Sequence, residues 1–273
     1  TDNMAISGET IDYGPCAFLE AYDPATVFSS IDQHGRYAFG NQPPIAQWNL
    51  TRLAEALLPL IDEDHDRAAA LVMEVLNAFP ARYEAHLLQG QRAKLGLRRS
   101  EPDDDAADAA LAAEWLALLQ AGQVDFTLGW RRLSDAAAGD ERPLRALFAD
   151  GKMPDAWLAR WRRRCAGEDR VADKDCGAGE DGGAGGGRGE GKDPASAGNE
   201  RAEAMRRVNP FVIPRNHRVE EALAAASGQG DFTPFERLLD ALKRPHDETG
   251  ELAPYAEPAP AAATACYQTF CGT

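Results

Sequence analysis

Residues 1–15 read TDNMAISGETIDYGP, and the chemistry of the chain concentrates there. Asp2 and Asn3 stand side by side, and Asp12 follows nine positions after Asn3 on an Asp12-Tyr13-Gly14-Pro15 turn. Mg²⁺ takes oxygen ligands in octahedral array and usually draws only one or two carboxylates from protein, leaving the rest to phosphates and water. Asn3 and Asp12 supply two such oxygens, which leaves Asp2 free to accept a hydroxyl proton. The same strings also read as a helix cap at Asp2 or Asn3 and a loop turn at Asp12, because D-N and D-x-G are common.

Beyond this segment the chain carries an ordered series of further motifs. TDNMAISGETIDYGPCAFLEAYDP spans residues 1–24, Gly35-Arg36-Tyr37-Ala38-Phe39 and Asn41-Gln42-Pro43 follow, and Trp48-Asn49-Leu50 precedes Arg52-Leu53. Val208-Asn209-Pro210, Arg215-Asn216 and a terminal Phe270-Cys271-Gly272-Thr273 complete it. Together these residues resemble the selenoprotein O family, the YdiU proteins of bacteria. The resemblance covers most of the chain outside residues 166–200, and the first forty positions are its most specific part.

The resemblance implies a pseudokinase-like fold that transfers AMP from ATP to Ser, Thr or Tyr hydroxyls of proteins. By motif position Asp2 is then the proton acceptor, Asn3 a metal ligand, and Asp12 both a metal ligand and a contact to ATP. That division of labour is similar to the Asp, Asn and DFG Asp of protein kinases. The implied cofactors are ATP and Mg²⁺, with Mn²⁺ as the alternative metal. The implied fold is mainly α: the C-terminal lobe of a protein-kinase-like fold plus a family-specific helical extension, with short strands near the metal site. The family's phosphate-gripping Gly-rich segment, Lys–Glu ion pair and nucleotide-binding arginines would lie upstream of position 1. The expectation is therefore a fragment of roughly the C-terminal half, inactive alone, with an apolar face left exposed. Cys271, third from the end, falls where the family places selenocysteine or cysteine, which implies redox chemistry and a redox partner. Its own partner is open, since Cys266 could pair with it or the thiol could stay free.

Composition narrows the class. The 273 residues carry a formal net charge of −15, which argues against nonspecific binding to nucleic acid or anionic membrane, both of which need clustered Lys and Arg. Trp161-Arg162-Arg163-Arg164 is the one basic cluster, read as the solvated end of a helix. No apolar run reaches the ~20 residues that span a bilayer. Five cysteines with no CxxC pair fit neither a disulfide scaffold nor a zinc site. A cytoplasmic, bacterial protein is expected.

Apolar spacing predicts helices. Ile45, Trp48, Leu53, Leu57 and Ile61 share a face after Pro43-Pro44, and Ala68, Leu71, Val72, Val75, Leu76 and Phe79 share another that ends at Pro80. Asp103-Asp104-Asp105 suits the start of a helix carrying Leu111, Trp115, Leu118 and Leu119. Shorter helices are expected over 126–134, 143–148, 156–164, 203–207, 218–226 and 234–242. Trp115, Trp130, Trp157 and Trp161 read as core anchors.

The domain plan is a partial kinase-like and helical region over 1–165, a Gly- and acid-rich disordered insertion over 166–200, a helical continuation over 201–251 and an extended tail over 252–273. Arg36, in the His34-Gly35-Arg36-Tyr37 stretch, stands where an activation segment would run and is expected to orient that loop or touch phosphate. Two functional classes follow: a protein adenylyltransferase, or a non-catalytic nucleotide-binding pseudokinase or helical interaction module.

Overall fold

The computed structural model describes residues 4–5, 7–9, 17–98, 104–149, 155–176, 194–260 and 267. Within them the chain is helical, and the one extended pairing is an isolated antiparallel bridge between Ala21 and Asp125. Two compact units divide it: residues 1–19, 23–87 and 259–273 form the first, and residues 20–22 and 88–258 the second.

The first unit is built on a 3₁₀ turn at Phe39–Asn41, α1 (Gln42–Ile61), α2 (His65–Asn77) and the start of α3 (Phe79–Leu95). A proline in its first turn opens α1, where the missing N–H has no intrahelical partner to lose. Asp64 caps α2 by accepting from the backbone N–H groups of Asp66 and Arg67, so the acidic run around His65 is a helix entry, as its composition suggests. α1 and α2 are held together by Ala68 and Leu76 and by Gln47 Nε2, which donates to the Leu76 carbonyl at 3.1 Å.

This unit buries little. Asn49 is the only fully buried residue of α1, while Trp48, Leu57, Leu60 and Ile61 are exposed, Leu60 at 82%. The apolar stripe expected to face a core thus stands largely open. Pro80 does not end structure either: α2 stops at Asn77 and Pro80 sits in the first turn of α3, a helix the spacing did not predict. α3 carries polar residues on most faces, so no apolar period announces it.

The second unit holds the core. α4 (Asp105–Ala121), α5 (Phe126–Ala137), α6 (Arg142–Arg145), α7 (Asp155–Cys176) and α8 (Pro194–Val208) surround the four tryptophans, each no more than 2% exposed. The Trp115 and Trp157 rings stack at 4.6 Å between centroids, and Trp115 meets Trp130 edge-on at 6.2 Å. Trp157 and Trp161 donate their indole N–H groups to the carbonyls of Leu111 and Leu95, so their burial strands no donor. A second apolar cluster joins Leu128 and Phe211 to Ala241, Leu252 and Ala256, where α9 (Asn216–Gln229), α10 (Thr233–Leu242) and α11 (Ala253–Ala256) close the unit.

Three expectations shift. α7 runs on to Cys176 and α8 begins at Pro194, so helix extends into both ends of the segment read as a loop. Residues 253–256 form a helical turn with Ala256 buried, where an extended strap was expected. Arg162, Arg163 and Arg164 lie in the body of α7 and not at a solvated end: Arg164 reaches the buried Asp108 at 2.8 Å, and Arg162 pairs with Glu141. Burial of Asp108 without such partners would be costly, and Arg92 supplies a second at 2.7 Å.

α5 and α8 meet at Gly198. A side chain there would place its Cβ 2.7 Å from the backbone carbonyl oxygen of Ala137, closer than atoms in contact allow. Because the obstacle is backbone, it cannot move aside by changing rotamer. Gly198→Val is expected to lower stability by about 2 kcal/mol through overpacking, read as a shift of the urea midpoint at constant slope.

Candidate functional site

Asp2, Asn3, Asp12 and Cys271 lie outside the described residues, as do Cys16 and Cys266. What the structure places is the chain immediately beyond them. Eight residues after Asp12, Glu20 enters the second unit and is held from two directions. Its carbonyl accepts from Phe126 N–H at 2.8 Å, and Tyr22 N–H donates to the Val124 carbonyl at 3.0 Å. The Tyr22 ring stacks on Phe126 at 5.3 Å.

The second hold is ionic. Arg215, fully buried, donates to Glu20 at 2.8 Å, to both oxygens of Asp125 at 2.5 and 3.1 Å, and to the Ala256 carbonyl at 2.8 Å. The planar fork of a guanidinium suits this set, since it can meet one carboxylate with two parallel bonds and still serve others. Asp125 also accepts from Leu128 N–H at 2.8 Å and so caps α5. One carboxylate thereby starts a helix and neutralises a buried cation.

Asn209 behaves the same way. It is fully buried, its amide spans Lys94 by donating to the Lys94 carbonyl at 3.0 Å, and its Oδ1 accepts from Lys94 Nζ at 3.3 Å. The Asn209 carbonyl accepts from Arg131, which also donates to the carbonyls of Arg206 and His246 and to Glu248. Burial pushes Lys94 below its ordinary value, because the charged form is poorly solvated there. The Val208-Asn209-Pro210 and Arg215-Asn216 motifs are therefore joints of the scaffold. Their partners Glu20, Lys94, Asp125 and Arg131 were not legible as such, since each lies at least 78 residues away along the chain; only Asp125 carried a local sign, standing just ahead of an apolar helical run.

Among the described residues no group of three His, Cys, Asp or Glu side chains could hold a metal ion. Asp104 and Asp105 pair with Arg164 at 3.1 Å and Arg92 at 2.7 Å. Cys165 is a buried free thiol, and burial pushes it up to about 12. Arg36 stands on an exposed turn with its guanidinium over the Trp48 ring. No helix among the described residues is long and apolar enough to cross a membrane.

Comparison with known proteins adds the class. The family model of the protein adenylyltransferase SelO matches residues 1–167. A protein nucleotidyltransferase YdiU of Rhizobium etli is 49% identical over the whole of this chain and 49% of its own length. The namesakes from Cereibacter sphaeroides and a Mycobacterium species are 50% and 52% identical, again over all of this chain and 49% of theirs. The chain belongs to the SelO/YdiU family. It spans about half the length of the curated relatives it matches.

Two outcomes check the scaffold. Arg215→Met should cost about 3–5 kcal/mol in chemical denaturation, because it leaves Glu20 and Asp125 facing each other without a cation, and Arg215→Lys should cost less. At pH 8 roughly one Cys165 thiol in 10⁴ is ionised, given its raised value. Alkylation of Cys165 should therefore wait for unfolding, and mass spectrometry of native protein treated with iodoacetamide should find it unmodified.

Proposed function

We propose that the family-length protein containing this chain is an adenylyltransferase that moves AMP from ATP to hydroxyl side chains of other proteins. The observation that carries the reading is the match of residues 1–167 to the protein adenylyltransferase model, with Asp2, Asn3 and Asp12 inside the matched range. The relatives named protein nucleotidyltransferase support the same class. A kinase-like lobe is the fold that this reading carries with it, and a cytoplasmic setting suits an ATP-dependent reaction.

Asp2 accepts the proton of a Ser, Thr or Tyr hydroxyl as its oxygen attacks the α-phosphorus. A new O–P bond forms, the bond from the α-phosphorus to the bridging oxygen breaks, and pyrophosphate leaves. Asn3 and Asp12 offer an amide oxygen and a carboxylate, a donor set of the kind Mg²⁺ and Mn²⁺ accept. When bound, that metal supplies neutralisation of charge developing on the phosphates. Asp12 also contacts ATP in this scheme. The clasp on Glu20 supports the assignment, since a segment doing chemistry gains from a fixed exit. Cys271 is assigned a separate redox role: its thiolate attacks a disulfide of a partner protein, a mixed disulfide forms, and the partner's other sulfur leaves as a thiol.

The test is incubation of the family-length protein with α-labelled and, in parallel, γ-labelled ATP and Mg²⁺. Label from the α position should appear on protein, fall by at least about 10²-fold in Asp12→Ala and Asp2→Ala, and vanish with EDTA. Transfer of the γ label would instead make the protein a kinase. Absence of both labels would favour the binding-only reading.

A further inference from the structure

Residues 24–41 form a turn that is more tightly tied than its exposure requires. The Asp32 carboxylate accepts from the backbone N–H groups of both Arg36 and Tyr37, each at 2.8 Å. Gly35 adopts φ +62°, a conformation that L side chains rarely take, and its carbonyl accepts from Asn41 Nδ2 at 2.6 Å and from Ala38 N–H at 3.1 Å. Farther out, Phe39 N–H donates to Thr26 and Gly40 N–H to Pro24. The backbone at Arg36 is therefore set before any ligand arrives.

From this turn the Arg36 guanidinium lies over the Trp48 ring at 4.5 Å and near the Tyr37 ring at 5.6 Å. Arg52 approaches the same indole at 5.5 Å, and its charge is met by Glu55 at 2.6 Å. Arg36 has no such carboxylate among the described residues. That is notable in a chain with 44 acids and 29 Lys and Arg, where most buried and many exposed arginines are paired. A guanidinium stacked on an aromatic face keeps its in-plane N–H groups pointing outward, and those groups are what a carboxylate or phosphate receives in a two-bond fork.

The surroundings decide between those anions. Trp48, Val27 and Ile31 are each more than 40% exposed, and Val27 lies against the turn, 3.9 Å from where a side chain on Gly35 would begin. An open surface with apolar area beside one stacked cation suits a protein segment that brings an acidic side chain and an apolar neighbour. A nucleotide's phosphates would instead call for convergent backbone N–H groups or several cations.

We propose that Arg36, stacked on Trp48, is a docking residue for an acidic side chain of the acceptor protein. The assignment rests on the adenylyltransferase reading for its acceptor, and on the geometry of the turn for its chemistry. Arg36 takes no part in bond making; it holds the acceptor chain.

The test uses the family-length protein with two Ser-containing peptides, identical except that Asp and Glu flank the hydroxyl in one and Asn and Gln in the other. Arg36→Gln should raise KM for the acidic peptide about tenfold, leave KM for the neutral peptide, KM for ATP and kcat within twofold, and so erase the preference. Arg36→Lys should recover part of it, since a point charge replaces the fork. Trp48→Leu should weaken the preference while the turn and the charge remain. An unchanged preference in Arg36→Gln would overturn the proposal, and so would a rise confined to KM for ATP, which would assign Arg36 to phosphate. Fluorescence anisotropy of the labelled peptides needs no turnover and reads the same preference. If Asp12→Ala kept full AMP transfer, the catalytic reading would fail while the anisotropy still upheld or refuted the docking residue.

Discussion

A buried guanidinium with several acceptors organises the second unit. Arg215 reaches Glu20, Asp125 and the Ala256 carbonyl from a position without solvent. Taking such a charge out of water costs several kcal/mol, which good geometry and several acceptors offset; both terminal nitrogens of Arg215 are met, while its Nε has no acceptor among the described residues. That demand links the start of α5, the α11 turn and the strand-like segment at Glu20–Tyr22 into one arrangement. Arg131 makes the corresponding joint at the end of α8, gathering the Arg206, Asn209 and His246 carbonyls with Glu248. Arg201 does so between Gly96, Cys165, Glu168 and Asp169. Three arginines thus serve as connectors among the helices and turns of this unit.

The two units differ in how they hold together. The second has four buried tryptophans and a separate cluster around Phe211 and Leu252. The first leaves Leu60, Leu71, Met73 and Val75 exposed on α1 and α2. The relatives of this family are about twice as long as the chain.

Much of the helical content was legible because packing demands a period. Leu111, Trp115 and Leu119, and likewise Trp157 and Trp161, repeat at helical spacing and are buried. Where the period was absent the reading failed: α3 is polar on most of its surface, and its Pro80 looked like a stop although it stands in a first turn, where proline is accepted. Ala166 to Cys176 and Pro194 to Asn199 looked loop-like from composition, yet α7 and α8 extend through them. There Glu168 reaches Arg164 and Arg201, partners no local window reveals. The candidate chemistry was legible only as residue types in order. Asp2, Asn3 and Asp12 are recognisable by motif, while Glu20 and its clasp are not, because Arg215 is 195 residues from Glu20 along the chain.

By itself the sequence determined the helical class, the tryptophan core, the family to which the chain belongs, and an acid, an amide and a second acid at positions 2, 3 and 12 of this chain. Each of these depends on side-chain type and short spacing, which a linear string records. The tertiary structure alone decided which charges are buried, that Asn209 and Arg215 are joints of the scaffold, and that Arg36 lies on an indole with no carboxylate among the described residues to meet it. Those outcomes depend on solvent exclusion and on partners brought together from distant positions. Neither quantity exists until the chain has folded.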